Sequence, residues 1–418
     1  MDWGAHLRIL TVAPYVPHDA IRHAGGAYLL QHLHELVKLG NEATLIAPGT
    51  AAQRGALALS PSWLDVLLGP PAEFGRSPLR VASDALYRRA MNAPPAPSHE
   101  ELRSVLGAGL IERAGEADVV ELHWAGYARF ATVLRRAGVT TPVCVLEHDV
   151  ELDAHAERVR NLSAGLLRTL KLLPAEVARR QERRGLLHAQ LVAVFKRADE
   201  QVLRRAGVTT PVQVLDPWLE EPHTPPTTPR PRTALFTGAL WRRGNVDGLV
   251  WFLDNVWPEV FAQVPNAILQ LVGSAPTERL QAKAASSRGV ELVGEVPDLM
   301  PYYSRASVFV APLFARGGLK FKVPQAMLCG LPVVATNVAC EGVAEVAPSN
   351  TLWTVTDSAK TMADGLVSAF KDEAAAATVG QSAAEWCRDH YSFSRSMASL
   401  NQAYSTLAEH AERSRGSV

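Results

Sequence analysis

Short apolar runs alternate with longer amphipathic stretches along most of the chain, and this alternation restricts the possible folds more than any other feature. In the second half a strand and a helix recur about every 25–35 residues, which is typical of a doubly wound parallel sheet. The strands predicted there are Ala234–Thr237, Ile268–Val272, Val290–Val293, Val308–Pro312, Val333–Thr336 and Leu352–Val355. The helices predicted between them include Val246–Phe261, Thr277–Ala285, Val323–Leu328 and Ala359–Phe370.

The first half shows the same alternation with longer interruptions. Its predicted strands are Leu7–Val12, Ala43–Ala47, Asp118–Leu122, Val143–Leu146, Leu191–Phe195 and Val212–Leu215, and its first helix is Tyr28–Leu39. Residues 49–107 are rich in proline, glycine, alanine and serine, so we expect loops and short helices there. Residues 151–187 predict a long, charged helix that is broken near Asn161 and Pro174.

Length and one proline-rich segment predict the domain organisation. The chain has 418 residues, of which 47% are hydrophobic, and this is typical of two domains with separate cores. Residues 220–232 carry five prolines and little apolar content, as a semi-rigid linker does. We therefore predict an α/β protein with a Rossmann-like domain at 1–219, a linker at 220–232 and a second Rossmann-like domain from 233. Ligands of such sheets bind beyond the carboxyl ends of the strands.

Charge and cysteine content restrict the function classes. Lys and Arg together number 42, as do Asp and Glu, and a chain without basic excess is a poor candidate for nucleic-acid binding. No apolar run reaches the roughly 18–20 residues that an integral membrane span needs. The four cysteines are far apart, so we expect free thiols in a reducing compartment. We expect a cytoplasmic protein, with peripheral contact with the inner face of a membrane left open.

Two segments with glycines or arginines follow predicted strands and precede helices. Gly25 and Gly26 open the first helix, where free backbone N–H groups favour an anionic ligand; a tight strand-to-helix turn explains them equally well. Arg242 and Arg243 precede a helix whose predicted N-cap is Asn245. Two guanidinium groups at this position suit a diphosphate, and a solvated basic turn is the alternative.

A third segment, at 311–335, is the most informative. A predicted strand runs into Gly317 and Gly318, and a helix follows. The glycines permit close approach of a ligand to the backbone, and Lys320 and Lys322 add positive charge beside free amide groups. This combination predicts a phosphate site.

The third segment resembles retaining glycosyltransferases of family 4 (glycosyl transferases group 1), which have the GT-B fold of two Rossmann-like domains facing each other across a cleft. Further segments carry the same resemblance in the same order. They are Glu147–Glu151, Phe236–Asp247 followed by Trp251–Phe252, Leu292–Tyr303 and His390–Phe393. By this resemblance the second domain extends over 233–385, and helices at 386–418 cross back onto the first domain.

The resemblance implies a glycosyltransferase that moves a sugar from a nucleoside-diphosphate sugar to an acceptor, with retention of the anomeric configuration, in glycan or natural-product biosynthesis. It implies no cofactor and no metal, because the nucleotide sugar is a co-substrate and the acceptor attacks from the face that the diphosphate leaves. The acceptor (a glycan, a lipid-linked sugar or a small natural product) is not specified by the sequence, and neither are the donor nucleotide and the oligomeric state.

The resemblance also implies roles for individual residues. Gly25 and Gly26 would lie under the donor diphosphate, the basic residues would neutralise it, Glu295 and Val296 would hold the base, and Gln325 would meet the ribose. The residues expected to bind the donor are Gly25, Gly26, Arg243, Glu295, Val296, Gly317, Gly318, Lys322 and Gln325, and those expected in catalysis are His148, Arg242 and Lys320.

This chain departs from the family pattern at two positions. Where the family has two glutamates eight positions apart, the chain has Gly317 and Gln325. A glutamine amide accepts one ribose hydrogen bond but loses bidentate charged acceptance. Two alternatives therefore stay open: a catalytically inactive GT-B homologue that binds a partner, and a nucleotide-sugar epimerase that uses the same donor site.

Histidines such as His123 and His148 raise the question of a metal site. The thirteen histidines show no ligand spacing such as HExxH, and the sequence places no carboxylate cluster near them. A structural or sugar-contacting role is the preferred interpretation, and no metal is expected.

Overall fold

The computed structural model describes residues 6–21, 24–71, 97–150, 152, 166–223 and 231–416. The chain divides into two compact units, one formed by Met1–Asp216 with Phe393–Val418 and the other by Pro217–Ser392. Each unit contains one parallel sheet with helices along it. The predicted α/β class with two Rossmann-like sheets is therefore confirmed.

The first unit is built on a sheet that has seven strands among the described residues. The strands are β1 Arg8–Val12, β2 Glu42–Gly49, β3 Asp65–Pro71, β4 Val119–His123, β5 Val143–Leu146, β6 Leu191–Val194 and β7 Val212–Val214. The helices are α1 Ala24–Lys38, α2 Ala51–Leu57, α3 His99–Gly107, α4 Leu110–Glu116, α5 Arg129–Arg136, α6 Leu166–His188 and α7 Arg197–Arg205, with a short 3-10 helix at Ala125–Tyr127. The strand order β3-β2-β1-β4-β5-β6-β7 reverses direction between β1 and β4, and this reversal marks the ligand-binding edge of such sheets.

The second unit repeats this topology with six described strands. They are β8 Thr233–Thr237, β9 Ile268–Val272, β10 Val290–Gly294, β11 Val308–Ala311, β12 Val333–Ala335 and β13 Thr354–Val355. The helices are α8 Arg243–Asn255, α9 Trp257–Gln263, α10 Glu278–Ala285, α11 Met300–Arg305, α12 Lys322–Leu328, α13 Ala359–Lys371 and α14 Glu373–His390, with a 3-10 helix at Val338–Cys340. The order β10-β9-β8-β11-β12-β13 reverses between β8 and β11, so the carboxyl ends of these two strands mark the ligand-binding edge.

The last described helix, α15 (Phe393–Gly416), packs in the first unit. Asn401 Oδ1 accepts a hydrogen bond from Asn41 Nδ2 at 2.8 Å, and Ser396 Oγ accepts one from the backbone N–H of Asp216 at 2.9 Å. The unit boundaries lie at 216/217 and 392/393. The linker predicted at 220–232 includes residues 224–230, which lie outside the described residues.

Three predictions of local structure are wrong. β3 lies within the stretch expected to hold only loops and short helices: Asp65–Pro71 is a strand that pairs with β2 and, among the described residues, stands at the edge of the sheet. The helix predicted over 246–261 is two helices: α8 ends before Val256, and Pro258 lies in the first turn of α9, where its missing N–H is tolerated. The helix α6 runs without interruption through Pro174, so the break predicted there is wrong; the break predicted at Asn161 lies outside the described residues.

The cysteines and the helix lengths bear on the predicted environment. All four cysteines are free thiols, and burial raises the pKa of Cys340 and of Cys387 to about 12. None of the described helices is both long enough and apolar enough to cross a membrane.

Candidate functional site

The loop between β8 and α8 forms one side of a group of cations in the second unit. Gly238 follows the strand with a φ of 142°, and the Asn245 side chain donates from Nδ2 to the Ala239 carbonyl at 2.8 Å. The prediction that Asn245 is the N-cap is wrong, because the helix begins at Arg243 and its N-cap is Arg242. The Asn245 side chain instead closes the loop by bonding back to it.

Lys322, at the start of α12, forms the other side. Its Nζ donates to Asn245 Oδ1 at 3.4 Å and lies 4.1 Å from the centroid of the Phe236 ring. A β-carbon at Gly238 would lie 2.4 Å from this Nζ, so the close approach of the lysine requires glycine there. The structure therefore brings the basic residues of the second and third sequence segments together.

The glycines before α12 shape the same loop. Gly317 has a φ of 151°, a region that residues with a side chain rarely adopt. Gly318 is buried, and its carbonyl accepts a hydrogen bond from Lys320 Nζ at 3.2 Å. The loop thus holds Lys320 close enough to Lys322 for its charge to lower the pKa of Lys322.

Arg242, Lys320 and Lys322 form one electrostatic group, which we call the cationic cluster. Burial, followed by the charges of Arg242 and Lys320, holds the pKa of Lys322 well below its ordinary value. Among the described residues no carboxylate pairs with Arg242 or Lys322. Arg243 differs, because its Nε donates to Asp247 Oδ2 at 3.2 Å. The structure therefore favours Arg242 over Arg243 as the arginine that meets an anion.

The Gln325 side chain is engaged by the protein backbone. Its Nε2 donates to the Glu220 carbonyl at 2.8 Å, and its Oε1 accepts from the Glu220 N–H at 2.8 Å. Contact with ribose hydroxyls stays a prediction, and it would require this pairing to open. Glu295 is exposed and Val296 is half-buried directly after β10; their contact with a base also stays a prediction.

A second arrangement of polar groups lies in the first unit, around Glu121 on β4. Glu121 Oε1 accepts hydrogen bonds from Tyr404 Oη at 2.6 Å and from His32 Nε2 at 2.9 Å. Its Oε2 accepts from Thr11 Oγ1 at 2.8 Å and from His123 Nε2 at 3.4 Å. All five side chains are buried. Burial by itself raises the pKa of Glu121, but His32 and His123 outweigh it and hold the pKa well below the ordinary value.

His148, which follows β5, extends this arrangement towards the surface. His148 Nε2 lies 3.1 Å from His123 Nδ1. Trp124 stacks on the His148 ring with centroids 4.0 Å apart and an interplanar angle of 9°, and Tyr28 and Phe195 contact the ring at 5.4 Å and 5.3 Å. Burial and the nearby histidines hold the pKa of His148 well below its ordinary value. We call Glu121, His123 and His148 the histidine relay.

Sequence reasoning missed Glu121 and His32. No carboxylate cluster was expected near the histidines, and the single carboxylate of Glu121 was overlooked, although Glu121 and His123 are two positions apart on one strand and so lie on the same face. His32 lies on the buried face of α1, beside Leu29 and Leu33. A histidine at a core position of a helix was the available signal.

Gly25 and Gly26 lie in the first turn of α1, and Gly26 is buried. Their predicted place under a diphosphate stays a prediction.

Two groups of potential metal ligands occur among the described residues. They are His32, Glu121 and His123, and Glu220, His223 and Asp298, with ligand atoms within 4.8 Å of one another in each group. In the first group, hydrogen bonds to Glu121 account for the arrangement. In the second, His223 Nε2 donates to Asp298 Oδ2 at 3.1 Å, and this bond raises the pKa of the exposed His223.

Comparison with known proteins finds a family model that matches part of the second unit. Residues 231–372 match the family model described as glycosyl transferases group 1, and these residues contain the cationic cluster. A curated relative, an uncharacterized 44.6 kDa protein in the cps region of Klebsiella pneumoniae, is 32% identical over 116 residues, which are 26% of this chain and 30% of that protein. The chain thus matches about a third of the length of that relative.

Solved structures resemble the whole chain. Sucrose-phosphate synthase from Thermosynechococcus elongatus has a TM-score of 0.68 at 18% identity, over 96% of this chain and 99% of that chain. WaaG, a glycosyltransferase involved in lipopolysaccharide biosynthesis, has a TM-score of 0.66 at 15% identity, over 94% and 99%. The fold is GT-B. Anabaena Alr3699/HepE, in complex with UDP, has a TM-score of 0.61 at 16% identity, over 99% and 100%.

At such low identity a shared fold does not fix the reaction, since one fold hosts many functions. The GT-B fold and the family match over 231–372 nevertheless agree with each other and with the sequence resemblance. Residues 231–372 are thus similar to group 1 glycosyltransferases, and the fold of the chain is the GT-B fold.

Proposed function

We propose that this GT-B protein is a retaining glycosyltransferase that moves a sugar from a nucleoside-diphosphate sugar to an acceptor, in glycan or natural-product biosynthesis. The observation that carries the proposal is the cationic cluster beside the carboxyl ends of β8 and β11. Arg242 and Lys322 have no carboxylate partner among the described residues. A diphosphate supplies the negative charge that such a cluster binds.

Similar proteins support a nucleotide as the ligand. The Anabaena HepE structures contain UDP, or UDP and glucose, and a TarM structure from S. aureus contains UDP. We therefore propose a nucleoside-diphosphate sugar as donor and UDP as the first nucleotide to test. We also propose a glycan, a lipid-linked sugar or a small natural product as acceptor, and a cytoplasmic location, which suits four free thiols.

The proposed reaction uses the cationic cluster as preorganised positive charge. Negative charge grows on the diphosphate as its bond to the anomeric carbon breaks, and Arg242, Lys320 and Lys322 stabilise that charge. The acceptor oxygen bonds to the anomeric carbon from the face that the diphosphate leaves, so configuration is retained. Its proton passes to an oxygen of the leaving phosphate. This chemistry uses no cofactor and no metal, and we propose that His148 contacts the sugar.

A thermal-shift panel of UDP, GDP, ADP, dTDP and CDP tests the donor site. Ligand at 100 times its dissociation constant adds about 2.7 kcal/mol of stability, so one nucleotide should raise the melting temperature clearly. Arg242→Ala should abolish the shift. Arg243→Ala is the matched control, because Arg243 already pairs with Asp247, and it should keep most of the shift. Equal loss in both variants, or no shift with any nucleotide, contradicts the assignment.

Turnover distinguishes an enzyme from an inactive homologue. The protein is incubated with sugar derivatives of the nucleotide that binds and with candidate acceptors, and release of free nucleotide is followed. Acceptor-dependent release with the donor's anomeric configuration in the product, read by NMR, supports the proposal. Release without acceptor, together with a rearranged sugar, indicates an epimerase, and tight binding with no release indicates an inactive homologue.

A further inference from the structure

The four hydrogen bonds to Glu121 fix the proton on His123. An ionised carboxylate only accepts hydrogen bonds, and it has room for about four. Thr11 and Tyr404 use one position on each oxygen, and His32 and His123 take the others. His123 must therefore donate from Nε2, which leaves the lone pair on Nδ1 when the ring is neutral.

The proton on His123 in turn determines the form of His148. The contact between His123 Nδ1 and His148 Nε2 is 3.1 Å, a hydrogen-bond distance. Two neutral rings form this bond only if one of them donates. Since His123 Nδ1 is the acceptor, His148 carries its proton on Nε2 and its lone pair on Nδ1.

The surroundings hold the His148 ring in place and favour the neutral form. Trp124 covers one face of the ring, and it does so from a backbone φ of 69°, which non-glycine residues rarely adopt. The bond to His123 is the single hydrogen bond of the His148 side chain among the described residues. Burial and then His123 and His32 lower the pKa of His148. Burial and His32 also lower the pKa of His123, against the hydrogen bond to Glu121 that raises it, so both rings favour the neutral form.

We propose that Glu121 and His123 are positioning residues that hold His148 as the neutral Nε2–H tautomer and so present Nδ1 as a hydrogen-bond acceptor for a hydroxyl group. Such an acceptor suits a sugar hydroxyl and does not suit a phosphate oxygen, which has no proton to donate. The choice of a sugar as the ligand rests on the proposed function. The assignment of the His148 tautomer does not rest on the proposed function, so an experiment can contradict either one without the other.

The test is the tautomer of His148 in the ligand-free, full-length protein. Long-range proton–nitrogen correlation spectra of protein labelled with ¹⁵N-histidine distinguish a protonated ring nitrogen from an unprotonated one. His148 is assigned by the signal that disappears in His148→Gln. We expect the Nε2–H pattern at neutral pH. An Nδ1–H pattern, or an imidazolium pattern, overturns the proposal.

Two variants separate positioning from general stability. His123→Phe removes the acceptor and should convert His148 to a mixture of tautomers. His34→Phe is the matched control, because His34 lies on the same helix as His32 but its ring packs against Trp63; it should leave the His148 signals unchanged. A single Nε2–H tautomer that persists in folded His123→Phe overturns the positioning role. If that variant does not fold, the wild-type spectrum alone still decides the tautomer.

Discussion

At the scale of single residues, the surroundings of Lys322 disfavour the charged form of its side chain. Burial lowers its pKa first, and Arg242 and Lys320 lower it further. A bound diphosphate would offset the part of this pKa lowering that comes from the neighbouring positive charges, so diphosphate binding and proton uptake by Lys322 are linked. Lys322 thus lowers the stability of the empty protein and raises the affinity of the site.

We predict that Lys322→Met binds the preferred nucleoside diphosphate about 10- to 100-fold more weakly, because a charged hydrogen bond contributes about 1.5–3 kcal/mol. The same change should stabilise the empty protein. Titration calorimetry and urea unfolding measure the two effects. Lys360→Met is the control, since the Lys360 side chain is 83% exposed. An empty Lys322→Met protein less stable than the wild type would show that the lysine is not under electrostatic strain.

The pH dependence of stability carries a second signature of Lys322. The folded-state pKa is lowered, so between that pKa and the unfolded value of about 10.4 the unfolded chain binds the extra proton. Stability therefore rises with pH across this interval. The rise should be smaller in Lys322→Met than in Lys360→Met when urea midpoints are compared across the alkaline range.

The histidine relay predicts how stability changes with pH in the acid range. The pKa values of His123 and His148 are lowered in the folded protein, so below about pH 6.5 the unfolded chain binds protons that the folded protein refuses. Stability should fall as the pH drops below about 6.5, by up to about 1.4 kcal/mol per pH unit for each histidine, until the pH passes the folded-state pKa. His148→Phe should show a smaller fall and His34→Phe the full fall; identical slopes would refute the assignment.

At the scale of secondary-structure elements, α8 approaches the loop after β11 very closely. A β-carbon at Gly248 would lie 2.0 Å from the Pro312 carbonyl oxygen, a distance at which backbone must move. This glycine sets how near the helix can lie to the strand that leads into the third segment. The loops that carry the cationic cluster therefore depend on it.

We predict that Gly248→Ala destabilises the protein by about 1–3 kcal/mol, as overpacking does. Gly55→Ala is the matched control in α2, because nothing lies within 4 Å of a β-carbon there. Alanine should stabilise that position by about 0.5–1 kcal/mol relative to glycine. Urea unfolding of both variants is the measurement. Equal stability of the two would contradict the tight packing of α8.

Most elements follow from periodicity alone. Strands such as Ile268–Val272 and Val143–Leu146 are continuous apolar runs because they are buried on both faces of a parallel sheet. Strand β3 has a weaker apolar run, DVLLGPP, and pairs with one neighbour in the part of the sheet that the structure describes, so the local pattern did not reveal it. A break was expected at Pro174, where the helix continues, and a continuous helix was expected at Pro258, where a new helix begins. Whether a helix continues through a proline depends on packing against residues that are distant in the sequence.

The candidate site divides in the same way. The residues of the cationic cluster could be predicted one by one, because each lies next to a glycine or a helix start in its own segment. That Arg242 meets the two lysines of another segment could not be predicted. The histidine relay could not be predicted, since Glu121, on which it depends, is held by Tyr404, which lies 283 positions away in the sequence. The role of Gln325 also depends on a distant partner, the backbone of Glu220. Local sequence specifies where charges and turns lie. It does not specify which distant residues contact each other in the core.

At the scale of the whole molecule, the first unit is made from both ends of the chain. Residues 393–416 supply Tyr404 to Glu121, Asn401 to Asn41, and Arg415 to Thr141. The second unit is one continuous stretch, residues 217–392, which comes between these two parts in the sequence. Loss of the last helix should therefore affect one unit and spare the other.

We predict that a chain ending at Ser392 loses the cooperative unfolding of the first unit and keeps the thermal shift with nucleotide in the second. Tyr404→Phe is the graded control: it keeps the helix and removes one donor from Glu121, which should cost about 1–3 kcal/mol. Urea unfolding and the nucleotide thermal shift are measured on both. Retention of the full unfolding transition without 393–418 would show that the helix is dispensable.

The discontinuous first unit also has a consequence during synthesis. The ribosome makes Glu121 long before Tyr404, and at about 5–20 residues per second the 283-residue interval lasts on the order of tens of seconds. For that time the nascent sheet holds a buried carboxylate with one donor missing and an α1 face that α15 has not covered. The second unit can fold meanwhile, so the unit whose synthesis starts first is completed last.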